Sequence, residues 1–244
     1  EGVRLIIFPE LCITGYPPRD LLLYDAFLRR VEETVKEEIM PLSRDIAVLI
    51  GAPWREPGSP KLFNSALLLF NGRLFSSHDK TLLPNYDVFD ENRYFSPSLQ
   101  RSLLVLDGEK IAVTVCEDIW NDKDYWERRR YEVDPVQELF EQGAELLINL
   151  SASPYHYKKA GQRADMLCAL ARKYRAGVIY VNQAGGNDEL VFDGSSMVCS
   201  GDGRLLFQAY PFQEVMFYLE TEDLRSSAGG EKGIREISFH NDMA

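Results

Sequence analysis

A mixed α/β fold with helices packed outside sheet is predicted by three features of the sequence. Short apolar runs at residues 3–8, 47–50, 111–115, 146–150 and 178–181 have the length of buried strands. Between several of them lie longer segments with helical spacing. The clearest is 159–175, where Ala164, Leu167, Cys168 and Ala171 recur at i, i+3, i+4 and i+7. Hairpin signals, Asn71-Gly72 and Gly201-Asp202-Gly203, interrupt the alternation. A length of 244 residues fits one large domain of this class.

Taken in order, the run 3–8 ends at Pro9 and reads as a buried strand. Pro17-Pro18 break the chain before a helical pattern over 25–43, which leads into the strand 47–50. Segments 65–70 and 74–77 flank Asn71-Gly72 as a hairpin. The strand 111–115 ends at Cys116. A helix over 135–142, a strand over 146–150, the helix 159–175 and a strand over 178–181 follow. Gly185-Gly186-Asn187-Asp188 reads as a turn. Segments 196–199 and 205–208 form the second hairpin, and 215–219 closes the core. The polar, glycine-containing stretch 226–244 reads as a linker or tail, leaving 1–225 as the folded domain. The first residue is Glu and an apolar strand begins almost at once, so a preceding segment is expected.

Composition excludes several functions. Lys and Arg total 27 against 38 Asp and Glu, a formal charge of -11. Nucleic acid is thereby excluded as the main partner, because binding it begins with phosphate neutralisation. Arg128-Arg129-Arg130 is short and flanked by acids, as in a solvated helix face. No apolar run reaches membrane-spanning length, so no membrane partner is expected. Cys12, Cys116, Cys168 and Cys199 are scattered with no CxxC, so reduced thiols in a cytoplasm are the default. The histidines lack ligand spacing, and neither G-x-G-x-x-G nor a Walker loop is present. No metal or nucleotide cofactor is therefore expected in this domain.

Three polar groups stand directly after apolar strands or at strand ends: Glu10, Lys80, which follows the second strand of the first hairpin, and Cys116. In α/β sheets such positions line the ligand crevice. A thiol attacks as thiolate. Glu10 is suited to take its proton, directly or during attack. Lys80 is suited to keep Glu10 ionised and to stabilise charge on a carbonyl oxygen, with the backbone N–H after Cys116 as a second donor. Alone, a strand-end Glu or Lys is usually solvated, and a strand-end Cys usually packs as a small hydrophobe.

The segments around these residues carry a family resemblance. Phe8-Pro9-Glu10-Leu11-Cys12-Ile13-Thr14-Gly15-Tyr16-Pro17-Pro18-Arg19-Asp20-Leu21-Leu22 resembles the base-bearing segment of the carbon–nitrogen hydrolase (nitrilase-like) superfamily. The stretch from Lys80-Thr81-Leu82-Leu83-Pro84-Asn85-Tyr86 to Phe89-Asp90-Glu91-Asn92-Arg93-Tyr94-Phe95 resembles the lysine segment, and Val115-Cys116-Glu117-Asp118-Ile119-Trp120 the nucleophile segment. The Gly-Tyr-Pro-Pro-x-Asp-Leu-Leu extension and Leu83-Pro84-Asn85-Tyr86 resemble the glutaminase domain of glutamine-dependent NAD synthetases. So do Asn149-Leu150-Ser151-Ala152-Ser153-Pro154 and Gln183-Ala184-Gly185-Gly186-Asn187-Asp188.

The resemblance implies an αββα sandwich that hydrolyses the side-chain amide of glutamine through a thioester. It also implies ammonia passed to an ATP-dependent synthetase domain of the same protein, which makes NAD from deamido-NAD. Glu10 is then the base, Lys80 the oxyanion group and Cys116 the nucleophile. Glu91 matches a supporting glutamate or is simply an ion-pair partner. Tyr86 and Phe89 are expected to pack on glutamine, with Glu117, Ser153 and Lys159 reading its charged ends. Lys158 and Arg163 compete with Lys159 for that role. The family's first strand and helix, before the Glu10 strand, are absent from this sequence. The synthetase domain is absent too, and ATP, magnesium and deamido-NAD are expected only there. A homo-oligomer is implied as well. Alternatives are a stand-alone amidase or N-carbamoyl hydrolase, a Cys–His hydrolase using His156, or a non-catalytic assembly module.

Overall fold

The computed structural model describes residues 2–56, 58, 60–225 and 234–237. The chain enters on β1 (Leu5–Ile7), which is half-buried rather than buried as the sequence suggests. A helical stretch follows, as α1 (Asp25–Glu33), a π-type turn at Thr34–Ile39 and a 3-10 turn at Met40–Ser43. The single helix expected over 25–43 thus changes its hydrogen-bond period twice, and Pro41 lies in the last turn, where it has no N–H to donate.

Three long strands complete the first sheet: β2 (Ala47–Arg55), β3 (Leu62–Phe70) and β4 (Arg73–Asp79). Their order is β1-β2-β3-β4, with β1 parallel to β2 and the rest antiparallel. The β3–β4 turn is Asn71-Gly72 as expected, both at positive φ (54° and 68°), which that turn requires.

The second sheet has six strands. They are β5 (Leu104–Leu106), β6 (Glu109–Val115), β7 (Leu146–Ser151), β8 (Gly177–Asn182), and two strands after an inserted hairpin. That hairpin is β9 (Ala184–Asn187) with β10 (Leu190–Asp193). Gly185-Gly186-Asn187 is therefore strand, and only Asp188 (φ 53°) begins the turn. With β11 (Met197–Cys199) and β12 (Leu205–Gln208), the sheet order is β12-β11-β8-β7-β6-β5. Its centre, β6-β7-β8, is parallel. The crossovers carry α2 (Pro135–Glu141) and α3 (Lys159–Tyr174). Beyond them, β13 (Met216–Tyr218) leads to α4 (Thr221–Arg225). Of the expected tail, Arg235–Ile237 forms β14, antiparallel to β13, and most of the remainder lies outside the described residues.

Strand alternation makes the layers. Ala47 and Leu49 of β2, Ala66 and Leu68 of β3, and Ile148 and Leu150 of β7 share one core between the two sheets. Their sequence neighbours face the other way. Val48, Ile50, Leu67 and Leu69 pack with Val35, and Leu147 packs with Leu139, Met166 and Leu170 of α2 and α3. The result is helix, sheet, sheet, helix: an α/β sandwich. A groove of about 1360 Å³ opens beside β1, lined by Leu5, Ile7, Ile148, Ile179 and Phe217 among others, but not by Glu10, Lys80 or Cys116.

Candidate active site

The loop after β1 brings Glu10 over β2, and Gly51 makes this possible. A Cβ at Gly51 would sit 2.3 Å from the Leu11 nitrogen and 2.5 Å from the Pro9 oxygen. Glu10 has no exposed surface. Its Oε1 accepts from Lys80 Nζ at 2.8 Å and from Asn64 Nδ2 at 2.7 Å, and its Oε2 accepts from the Ala152 N–H at 2.8 Å. Three donors hold the buried carboxylate as an acceptor, in line with the rule that buried charge is paired.

Lys80 follows β4, and its N–H donates to the Asn64 carbonyl at 2.9 Å. Asn64 thus positions both Lys80 and Glu10 from β3. Lys80 is fully buried, and Nζ also donates to Glu91 Oε1 at 2.7 Å. Burial lowers the Lys80 pKa, but Glu10 and then Glu91 outweigh it, so the amine is held charged. Glu91, in the 3-10 turn Glu91–Arg93, also accepts from the Tyr16 hydroxyl at 2.8 Å. Burial pushes its pKa up to about 7, against the pull of Lys80.

Cys116 directly follows β6 at φ 44°, a left-handed conformation uncommon outside glycine. The chain there turns sharply into the 3-10 turn Cys116–Ile119. Asp118 fixes this corner. Its Oδ2 accepts from the Val115 N–H at 3.1 Å, and its Oδ1 accepts from the N–H groups of Thr81 and Leu82 at 3.0 and 2.8 Å. One carboxylate therefore ties the cysteine turn to the lysine segment. Burial raises the Cys116 pKa, Glu10 adds to this, and Lys80 opposes it; the resting sulfur is a thiol. Charge forms on it only as the proton leaves.

The rim is aromatic and charged. Glu117 accepts from the Tyr86 hydroxyl at 2.8 Å (Oε1) and 3.0 Å (Oε2), and from the Tyr131 hydroxyl at 3.1 Å. Arg130 lies 3.8 Å over the Tyr86 ring, and Phe89 packs edge-on against Tyr86 at 5.5 Å. The basic triplet is exposed, as expected of a solvated face, but it lies outside any helix, and Arg130 stacks on Tyr86.

Of the basic residues near 159, Lys158 is exposed and lies 5.3 Å over the Tyr157 ring. Arg163 is fully buried in an ion pair with Asp193. Lys159 is half-buried, its Nζ donating to the Pro154 carbonyl at 3.3 Å and standing 5.7 Å over Trp120. Burial lowers its pKa, with Cys116 and Glu117 acting against that. Of the three, Lys159 is half-buried, and the Cys116 and Glu117 charges act on its amine. Ser153 is buried, held through its backbone by Asn182 at 2.8 Å and by Arg163 at 3.4 Å. His156 is exposed and its ring meets the Tyr157 carbonyl at 3.0 Å; His240 lies outside the described residues.

Asn64, Asp118, Ala152, Tyr131 and the Arg163–Asp193 pair belong to the site without being expected from the sequence. Two of these had a legible signal. Asp118 is the third residue after Val115, where an acid reaches back to the preceding N–H. Arg163 sits on the apolar face of α3, at i, i+4, i+7 with Leu167 and Leu170, where a charge needs a buried partner. Among the described residues, no cluster of His, Cys, Asp and Glu is arranged to hold a metal, and no helix is long and apolar enough to cross a membrane.

A family model described as carbon-nitrogen hydrolase matches residues 1–223. The glutamine-dependent NAD(+) synthetase of Synechocystis sp. is 39% identical over 237 residues, 95% of this chain and 42% of that protein. That of Aquifex aeolicus is 38% identical over 216 residues, 88% of this chain and 36% of that protein. A solved structure of glutamine-dependent NAD+ synthetase from Acinetobacter baumannii, in complex with ADP, superposes with a TM-score of 0.77 at 34% identity, covering 86% of this chain and 37% of that one. A nitrilase-superfamily amidase from Nesterenkonia AN1, 23% identical, shares the fold with a TM-score of 0.70 over 86% of this chain and 75% of that one. The chain spans about two fifths of the length of these synthetases. With the family model spanning nearly all of it, the chain is an enzyme of the carbon–nitrogen hydrolase family, related to the glutamine-dependent NAD(+) synthetases.

Proposed function

We propose that this chain hydrolyses the side-chain amide of glutamine and that Cys116, Glu10 and Lys80 carry the reaction. The observation that carries the reading is the buried Glu10–Lys80 contact at 2.8 Å, with the charges of both residues acting on the Cys116 thiol. Cys116 attacks the amide carbon as Glu10 takes its proton. Lys80 Nζ and the Glu117 N–H hold the oxygen that becomes negative. Glu10 then passes the proton to the departing ammonia, leaving a thioester on Cys116. A water gives its proton to Glu10 and attacks the thioester carbon; the C–S bond breaks, glutamate is released, and Glu10 returns the proton to the Cys116 sulfur. Lys80 holds Glu10 in place through their 2.8 Å contact. Tyr86, Phe89, Glu117, Ser153 and Lys159 bind glutamine, with Lys159 placed for its α-carboxylate and Glu117 for its α-ammonium.

The ammonia is proposed to serve amidation of deamido-NAD by a synthetase domain, with ATP, magnesium and deamido-NAD bound there. The NAD(+) synthetase names of relatives more than twice as long support this. Residues 1–225 would be the amidohydrolase unit, 226–244 its connection onward, and the unit would form a homo-oligomer as the family resemblance implies. The family's first strand would fit beside β1, whose one strand partner among the described residues is β2 and whose flank opens on the apolar groove.

Release of ammonia and glutamate from glutamine tests the reaction. The wild-type chain should produce both in equal amounts, and Cys116→Ala should produce neither while keeping its circular dichroism. Ammonia release by folded Cys116→Ala would end the assignment.

A further inference from the structure

Two of the four cysteines lie together, on elements that carry none of Glu10, Lys80 and Cys116. Cys168 Sγ on α3 stands 2.9 Å from Cys199 Sγ on β11, and both are free thiols. Packing two small hydrophobes explains burial but does not require their sulfurs to meet. The backbones on either side are also held against each other. Gly203, at φ 82° in the β11–β12 turn, approaches so closely that a Cβ there would sit 2.8 Å from the Cys168 carbonyl oxygen and 2.9 Å from Arg172 Cβ. Arg172 in turn donates to the Gly203 carbonyl at 3.4 Å. Helix and hairpin therefore keep the two thiols in register.

We propose that Cys168 and Cys199 form a reversible dithiol–disulfide site that fastens α3 to the β11–β12 hairpin. Closing a disulfide brings the sulfurs to ~2.05 Å, a further approach of about 0.9 Å. The two thiols differ in access. Cys168 is half-buried, whereas Cys199 has no exposed surface. Their hydrogen bond, and then Arg172, favour the Cys168 thiolate. Cys168 is the thiol an oxidant meets first, and Cys199 is the resolving one.

The oxidant is a small-molecule disulfide such as glutathione disulfide. Cys168 loses its proton and its sulfur attacks one sulfur of that disulfide. The S–S bond breaks, a mixed disulfide forms, and one glutathione leaves as a thiolate that takes up the proton. Cys199 then loses its proton, attacks the Cys168 sulfur and expels the second glutathione, protonated likewise. Two protein thiols become one disulfide, and two electrons reduce glutathione disulfide to two glutathiones. Because α3 begins at Lys159, the bond tethers the helix that carries this residue.

The complete protein is equilibrated in glutathione buffers from fully reduced to fully oxidised, quenched with iodoacetamide and mapped by peptide mass. The expected product is a Cys168–Cys199 cross-link that grows with the oxidised fraction and is reversed by dithiothreitol. In Cys199→Ser, a glutathione adduct should accumulate on Cys168. In Cys168→Ser, Cys199 should stay unmodified. Recovery of both residues as alkylated thiols in fully oxidised buffer would overturn the proposal. So would a stable glutathione adduct on Cys168 in the unaltered chain, or a disulfide joining either cysteine to Cys12 or Cys116. The unaltered chain alone decides the matter if a variant fails to fold.

Discussion

Lys80 and Glu91 meet at 2.7 Å, with neither side chain more than 5% exposed. Glu91 is therefore built into the same buried network as Glu10, and Lys80 faces two carboxylates rather than one. The two acids differ in surroundings. Glu10 has three donors, two of them neutral amides, while Glu91 has the lysine and the Tyr16 hydroxyl, plus a long 3.5 Å contact from Asn64. Burial leaves Glu91 poised to titrate at about pH 7.

Glu91→Gln should lower kcat/KM roughly 10- to 100-fold, as expected for removing a group that orients a reacting one. It should also shift the pH profile of Cys116 alkylation downward, because the Glu91 charge raises the Cys116 pKa. The stability effect has a definite sign. The folded pKa of Glu91 is raised, so its contribution is present below its unfolded value and is lost as pH rises through about 7. Relative to Glu91→Gln, the wild type should therefore lose stability between pH ~4.3 and about 7, measured by urea melts across that window.

Asp118→Asn should disturb the geometry between Cys116 and Lys80. The carboxylate accepts from three backbone N–H groups, and an amide has one acceptor oxygen, so either orientation opposes a donor to a donor. A loss of about 1–3 kcal/mol in stability is expected. It should come with a fall in kcat larger than the change in KM, seen by steady-state kinetics on the folded fraction.

Tyr86→Phe and Lys159→Ala should act on substrate binding. The first frees Glu117 from one of its two tyrosine hydroxyls, and the second removes a cation that interacts electrostatically with Cys116 and Glu117. Each should raise KM for glutamine about tenfold, the order expected for loss of one hydrogen bond to a charged group, with a smaller change in kcat. Lys158→Ala should leave both constants unchanged, since Lys158 is exposed.

Arg163→Met should cost about 3–5 kcal/mol by leaving Asp193 buried without its cation. Because Arg163 also bonds the Ser153 carbonyl, next to the Ala152 N–H that holds Glu10, kcat should fall as well. Arg163→Met combined with Asp193→Leu should recover much of the stability, as measured by thermal melts.

Much of this site was legible from residue order. The apolar runs before Glu10 and Cys116 and the hairpin strand before Lys80 place these three just beyond strands, and the fold brings Glu10 and Lys80 into contact. Strand alternation in β2, β3 and β7 sorted the residues into layers, which period-two patterning conveys well. What stayed hidden depends on tertiary pairing. Asn64 reads as an ordinary polar residue within a strand until Glu10 folds over it. Ala152 acts through its backbone, so its side chain gives no signal. Gly185 and Gly186 suggested a turn, yet the pairing of β9 with β10 overrode their low strand preference. Lys159 could not be told from Lys158 or Arg163 without knowing which face of α3 meets the site.

The most direct test of the central claim is peptide mapping after incubation with 6-diazo-5-oxo-norleucine, an electrophile shaped like glutamine. One adduct is expected, on Cys116, suppressed by excess glutamine and abolished in Glu10→Gln. Labelling that spares Cys116 in the folded protein, or that glutamine does not suppress, would contradict it.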